Sequence, residues 1–443
     1  MGDGVNARVL IVAADDGLAG PLAEGLDRLG WSTVTASGPF AAVAALQDLE
    51  IEAAVVDVAG HEPELYDFGR RLKEACAPRR IPVMAIGVPA APLDPTAYDL
   101  QLAPPLHPVQ IALRLEQLVR TAVAEEEFEL RQETFTERDA PLAAPQEQAR
   151  PVQVLTVGDP APKFLALANA LQQCGAEVVG AFTPYTAFDY MHDRPFDAVV
   201  LWGGEDHGEA LAIASGMRRN TRLYHVPNLL YVRSPDQLDL AEVFNRGVTD
   251  IAGPNVPEMQ TAQRIVALAK AYRRQIGVRE ALDKARGSGL MDSATGLFSR
   301  DLFAAHLARL TTAARGRNRP LSVCLLKVAD RPEVARARED GWLDKAMPQI
   351  GSMISRLVRS EDTAARLAPE VFALALPATA QGAARLVGER IAAVIGCTAF
   401  EAGPGLPPFV AEFEVGTAQL LPGETPAQAL ERAAAETLQR RAG

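Results

Sequence analysis

The residue types that could fix this chain's chemistry by themselves are scarce or scattered. Its four cysteines, Cys76, Cys174, Cys324 and Cys397, include no C-x-x-C pair, which excludes a disulfide framework and a cysteine zinc site. The six histidines are equally dispersed, with no H-x-x-x-H spacing, so no metal is expected from them. Positive charge is in deficit, 44 Lys and Arg against 56 Asp and Glu, a net charge of −12. Phosphate backbones need a basic surface, so no nucleic-acid partner is expected. A small anionic ligand held by a few local arginines stays open. No apolar run approaches the roughly 18 residues of a membrane span. No basic segment followed by an apolar core marks a secretory leader. A cytoplasmic protein without membrane insertion is the expectation.

What is present is an ordinary globular balance, 48% hydrophobic and 23% charged, over 443 residues. That length suggests about three domains. Residues 8–120 alternate short apolar strands with amphipathic helices. Arg8–Ala14 is nearly continuous in apolar residues, as a strand covered on both faces should be. Leu18, Leu22, Leu26 and Leu29 then follow at helical spacing, up to Gly30. Strands at Ala53–Asp57 and Ile81–Ile86 and a helix from Pro108 to Ala124 complete the pattern. Interleaved strands and helices imply a parallel, doubly wound sheet with its chemistry at the strand C-termini. Asp57 closes such a strand. The segment resembles a response-regulator receiver domain, and the resemblance makes Asp57 the candidate phosphoacceptor. It also implies helpers that are missing here. The positions of the Mg²⁺-holding acidic pair carry Ala13 and Ala14, with Asp15 and Asp16 displaced. The hydroxyl position carries Gly87, and the lysine position Ala103. Mg²⁺ neutralises phosphoryl oxygens during transfer, so it is expected as a cofactor only if Asp57 is phosphorylated. Asp57 as a remnant carboxylate is the other open reading.

Residues 125–151 are acidic and then proline-bearing, and read as a helix extension followed by a linker. The pattern then repeats, with strands at Val152–Val157, Phe196–Trp202, Val226–Val232 and from Val248. A helix is expected from Phe164 to Leu171. Trp202 stands at the phosphoacceptor position and Gly253-Pro254 where Lys-Pro would be, so this second receiver-like segment is expected to be an adaptor. A long helix from Glu258 to Arg286 leads to Asp292-Ser293-Ala294-Thr295-Gly296-Leu297-Phe298-Ser299-Arg300. This resembles the D-x-L-T-G-L-x-N-R opening of GGDEF domains, the fold of diguanylate cyclases. The expected architecture is α/β, with two flavodoxin-like receiver domains on parallel five-stranded sheets and then an α+β GGDEF domain. The expected boundaries are 1–124, a linker 125–151, then 152–285 and 286–443.

The GGDEF signature should fall at residues 368–372, where Ala-Pro-Glu-Val-Phe stands. Cyclases of this family need a metal-binding carboxylate at the end of the first central strand, and Lys327 occupies that place. A cation cannot ligate a metal. They also need paired glycines, and Pro369 removes a backbone donor and fixes φ where glycine gives freedom. Glu370 and Asp344 remain at positions the resemblance assigns to a metal ligand and a guanine contact. No catalytic residue set is left, so the domain is not expected to be an enzyme.

The resemblance points instead to Arg359 and Asp362, an R-x-x-D pair separated from residues 368–372 by the family's gap of residues 363–367. In the family this pair binds the product, cyclic di-GMP, with a second arginine that falls on Arg390. Arg forks donate to guanine O6 and N7, and Asp accepts from N1–H and the N2 amine, each contact giving about 1–3 kcal/mol of discrimination. The order receiver, degenerate receiver, GGDEF resembles the PleD-type and PopA-type response regulators. That resemblance implies a non-catalytic cyclic di-GMP effector and a homodimer. It further implies a scaffold at a cell pole serving cell-cycle-regulated proteolysis through ClpXP partners. Two other functions remain open, a ligand-free scaffold switched only at Asp57 and a residual cyclase.

Overall fold

The computed structural model describes residues 7–439 apart from 60–62, 92, 95, 146–149, 205 and 285–288. The first segment runs β1 (Arg8–Val12), α1 (Asp16–Arg28), β2 (Ser32–Ala36), α2 (Pro39–Asp48), β3 (Ala53–Asp57) and α3 (Phe68–Ala75). It continues with β4 (Val83–Ile86), β5 (Leu100–Leu102) and the long α4 (Pro108–Thr136). All its strand pairs are parallel, in the order β2-β1-β3-β4-β5. This doubly wound order reverses direction between β1 and β3, which opens a crevice at their C-terminal ends. Strands covered on both faces need apolar residues throughout, and Val9–Val12, Ala53–Val56 and Val83–Ile86 are buried without alternation.

The second segment repeats the plan with β6 (Val152–Val157), α5 (Pro162–Gln173), β7 (Ala176–Ala181), α6 (Pro184–Asp193) and β8 (Ala198–Gly204). It closes with α7 (Gly208–Arg219), β9 (Asn228–Val232), α8 (Leu240–Asn245), β10 (Asp250–Ala252) and α9 (Glu258–Lys284). Its sheet, β7-β6-β8-β9-β10, has the same order as the first. The expected C-terminal end of the long helix at Arg286, and with it the boundary at 285, lies outside the described residues.

The two repeats do not separate into independent bodies. Asn6–Thr121 and Gln146–Gly277 form one compact unit, and Ala122–Pro145 with Val278–Gly443 form the other. The reason lies in shared side chains. Leu268 of α9 joins the core of the first sheet, and Val109 of α4 packs on that of the second. Gln110 Nε2 donates to Thr249 O (3.2 Å) and to Asp250 Oδ1 (3.3 Å), while Arg274 pairs with Asp99 at 3.0 Å. Arg114 is half-buried beside them, and desolvation, opposed by Asp250, pulls its guanidinium down to about 10. The boundary expected at residue 124 falls inside α4, and the first part of the expected linker is helix as far as Thr136.

The C-terminal unit holds α10 (Arg300–Gly316), β11 (Leu321–Val328), α11 (Pro332–Glu339), α12 (Trp342–Leu357), β12 (Thr363–Ala368) and β13 (Val371–Pro377). Then come α13 (Gln381–Gly396), the short pair β14 (Ala399–Phe400) and β15 (Phe409–Val410), β16 (Phe413–Gln419) and α14 (Pro426–Gln439). The sheet β12-β13-β11-β16 is antiparallel throughout. One face packs on α12 and α13 through Met347, Ile350, Ile391 and Ile395. The other packs on α10 and α14, joined by Leu130 and Phe135 of α4. Gly416 of β16 faces α14 so closely that a Cβ there would lie 2.0 Å from Ala433 O, so only glycine permits this approach.

Candidate functional site

The segment from Asp292 to Arg300 is a tight turn that pins the domain's entry to its edge strand. Asp292 Oδ1 accepts from Thr295 N (2.9 Å) and Thr295 Oγ1 (2.7 Å), and Gly296 adopts φ +68°. Phe298 N donates to Ala364 O and Arg366 N to Phe298 O, both at 3.0 Å, fixing the start of β12. Ser299 caps α10, and the chain enters that helix.

Between α12 and β12 lies the Arg359–Asp362 turn. Asp362 Oδ2 accepts from Arg359 N at 2.9 Å, and Asp362 N donates back to Arg359 O at 3.2 Å. Such reciprocal side-chain and backbone bonding is why Asp suits a tight turn. The Arg359 side chain is exposed, whereas Asp362 is only 3% exposed. Burial, reinforced by neighbouring Glu361, pushes the Asp362 carboxyl up to about 7. Exposed Arg390 of α13 reaches this turn, donating from Nη2 to Leu357 O at 2.8 Å. The structure therefore brings all three sequence-predicted residues to one place, with two arginines outward and the carboxyl inward.

The neighbouring hairpin, Ala368-Pro369-Glu370 between β12 and β13, is tied down from two sides. Arg366 Nη2 donates to Pro369 O at 2.8 Å, and Arg338 of α11 holds Glu370 with Nη2 at 2.8 Å from Oε2. Glu370 is thereby engaged by a cation. Lys327 stands near the end of β11, in register with Val371 and Glu414. Asp344 lies exposed in the first turn of α12.

Sequence reasoning missed a buried polar network directly behind the Arg359–Asp362 turn. Glu127 Oε1, on the last turns of α4, accepts from Arg131 Nη2 (2.7 Å), Arg131 Nε (3.1 Å) and the hydroxyl of Thr363 (3.2 Å). His306 Nε2 of α10 lies 2.8 Å from the same oxygen. The His306 Nδ1 and the Thr134 hydroxyl are 3.0 Å apart, and Arg131 Nη2 also donates to Thr363 Oγ1 at 3.0 Å. Glu127, Arg131, His306 and Thr363 are each at most 1% exposed. Burial alone would raise the Glu127 carboxyl, but His306 and Arg131 outweigh it and hold the carboxyl below its ordinary range. The i,i+4 spacing of Glu127 and Arg131 was a visible signal. It was obscured because Glu125-Glu126-Glu127 looks like a solvated acidic run.

In the other unit, Asp57 ends β3 with Oδ1 accepting from Ala59 N at 3.0 Å. Burial pushes its carboxyl up, the Ala59 bond opposes this, and nearby Asp15 adds to the rise. Asp15 itself caps α1, accepting from Gly17 N at 2.8 Å. Gly87 leaves the space beside Asp57 open, since a Cβ there would sit 3.0 Å from Asp57 Oδ1. At the equivalent strand end of the second sheet the space is filled. Trp202 stacks on Tyr231 with ring centroids 4.9 Å apart and meets Phe164 at 5.2 Å.

Comparison with known proteins bears on the C-terminal unit. Residues 289–442 match the family described as diguanylate cyclase, GGDEF domain. They are a GGDEF domain. Among solved structures, the chain is similar to the GGDEF domain of DgcB from Caulobacter crescentus in complex with c-di-GMP. The identity is 22%, covering 35% of this chain and 92% of that one, with a TM-score of 0.33. The GGDEF domain of FimX from Pseudomonas aeruginosa is similar at 19% identity, covering 35% and 96%, with a TM-score of 0.32. Diguanylate cyclase SiaD from Pseudomonas aeruginosa, in complex with its activator SiaC, is 18% identical over 64% and 89%, with a TM-score of 0.33. No curated protein matches the chain. Among the described residues, no helix is long and apolar enough to cross a membrane, and no group of three or more His, Cys, Asp or Glu is placed to hold a metal ion.

Proposed function

We propose that this protein is a non-catalytic cyclic di-GMP effector whose GGDEF domain binds the dinucleotide at Arg359, Asp362 and Arg390. The observation that carries this reading is the gathering of these three residues at one turn, while Ala368, Pro369 and Lys327 replace the groups that GTP condensation needs. Two exposed guanidiniums supply the donors that guanine O6, N7 and phosphate oxygens accept. Glu370 in the grip of Arg338 is a poor candidate for holding a metal. The two doubly wound repeats are read as receiver domains, the first with Asp57 as its phosphoacceptor candidate and the second an adaptor whose strand end is filled by Trp202. A homodimeric scaffold role in ClpXP-dependent proteolysis at a cell pole completes the proposal and rests on the family resemblance alone.

The test is calorimetric titration of the full chain with cyclic di-GMP, beside Arg359→Ala and a GTP turnover assay. Binding at micromolar or tighter affinity, weakened roughly 5- to 150-fold in Arg359→Ala, with no turnover of GTP, is the expected result. Absence of binding by the unaltered chain would overturn the reading. It would leave Asp57 as the input to be tested by phosphoryl transfer.

A further inference from the structure

The Arg359–Asp362 turn is directly continuous with a buried polar cluster. Thr363, the residue after Asp362, gives its hydroxyl to Glu127 and takes a hydrogen bond from Arg131, both on α4. Arg131 in turn lies 5.5 Å over the Phe298 ring and reaches Leu282 O at the end of α9 (3.5 Å). His306 ties the same carboxylate to α10. The last turns of α4, α10 and the start of β12 therefore meet on the Glu127 carboxylate, and Arg131 extends the cluster to the end of α9 and the domain's entry turn. The carboxylate is the centre of the cluster.

That group is unevenly satisfied. Glu127 Oε1 has Arg131, His306 and Thr363 around it, while Oε2 is buried with no hydrogen-bond partner. A buried oxygen without a partner is unfavourable, and Oε2 is an unused acceptor beside the crowded donors of Oε1, so the donors have somewhere to shift when a neighbouring contact changes. A small cavity lined by Glu127, Val123 and Leu310, among others, adjoins it. Charge links the cluster to the turn as well. Glu127 repels the Asp362 carboxylate across Thr363, with Glu361 the nearer like charge and Arg359 the opposing one. Arg131 and His306 face Glu127 from the other side.

We infer that Glu127, Arg131, His306 and Thr363 are a buried relay through which occupancy of the Arg359–Asp362 turn and the order of α4 residues 122–136 control one another. The ligand class is that of the proposed function, on which the ligand-dependent part of this inference rests. These are positioning residues, acting on the ligand through Asp362. Linkage makes the effect reciprocal: a change at the end of α4 alters affinity at the turn by the same factor that ligand alters the helix.

Hydrogen exchange of the full chain, read at residues 122–136, tests the relay. In the unaltered chain, saturating cyclic di-GMP should slow exchange there by at least about threefold, since coupling of this kind spans roughly 5- to 150-fold. Arg359→Ala should move the effect to the same higher ligand concentration as binding itself. Thr363→Val should keep calorimetric binding within about tenfold yet lose the response at 122–136. Protection confined to the turn and to Arg390 in a chain that binds ligand would overturn the relay, as would a Thr363→Val chain that still responds. Should the unaltered chain give no heat of binding, the proposed function fails, and a ligand-free arm decides the relay. Exchange at 122–136 is then compared in Glu127→Gln, Asp362→Asn and the double variant. Effects that fail to multiply by at least about threefold support coupling; effects that multiply mean independent sites, and the relay is wrong.

Discussion

Two turns in the GGDEF domain, at 359–362 and 368–370, hold their charged groups in opposite ways. The first keeps an arginine in solvent and a carboxyl beneath it, with Arg390 alongside. The second has its carboxylate, Glu370, clamped by Arg338 and its carbonyl at Pro369 held by Arg366. An exposed ion pair contributes little to stability, typically 0–1 kcal/mol. Its consequence here is chemical. The pair occupies a carboxylate that would otherwise be available to a metal, whereas at the first turn the Arg359 side chain stands exposed to an incoming acceptor. Under the proposed function, this contrast between the two turns is what would separate a reader of a nucleotide from its maker.

The largest expected effect concerns the buried network behind the first turn. Glu127→Ala leaves Arg131 buried without its partner, and should lower the stability of the C-terminal unit by about 3–5 kcal/mol in urea unfolding. Next, Arg359→Ala should weaken cyclic di-GMP binding by roughly 5- to 150-fold, the loss of about 1–3 kcal/mol of guanine contact. Arg338→Ala, at the second turn, should leave that affinity within about twofold. If both substitutions weaken binding alike, the contrast between the turns fails.

A smaller effect is the pH dependence of the unit. The Asp362 carboxyl, pushed up to about 7 from 3.8 by burial, binds its proton more tightly in the folded than in the unfolded state. Between those values the folded state holds more protons, so this group's stabilisation is full at low pH and falls as pH rises through about 7. Glu127 acts oppositely. Its carboxyl, held below 4.5, contributes fully above that value and loses its contribution as pH falls through the folded value. Asp362→Asn should remove the first slope, leaving denaturation midpoints flatter between pH 5 and 8. An unchanged slope would show that another group carries it. The smallest effect is Arg338→Ala on stability, at most about 1 kcal/mol because the pair is exposed.

Much of this protein was legible in one dimension. Unbroken apolar runs such as Val9–Val12 and Ala53–Val56 can only be strands covered on both faces, and their alternation with helices dictates a parallel sheet. The Asp292–Arg300 motif and the spacing of Arg359, Asp362 and the Ala368–Phe372 segment are local patterns, and local patterns survive in sequence. Arg390 was placed at the site by family resemblance, and the hydrogen bond to Leu357 O shows it within reach of the turn. Burial was not legible. Glu125-Glu126-Glu127 looks like a solvated acidic run, yet Glu127 is enclosed because residues 122–136 pack against α10 and the start of β12, far away in the chain. Nor could periodicity tell that the two doubly wound repeats would share one compact unit, since that depends on Leu268 and Val109 crossing into each other's cores. The sequence by itself determined the elements, the repeat and which residues stand at 327 and 368–372, because each is written in neighbouring residues. Only the tertiary structure decided which carboxylates are buried and which cations meet them, because desolvation and pairing act between residues brought together by folding.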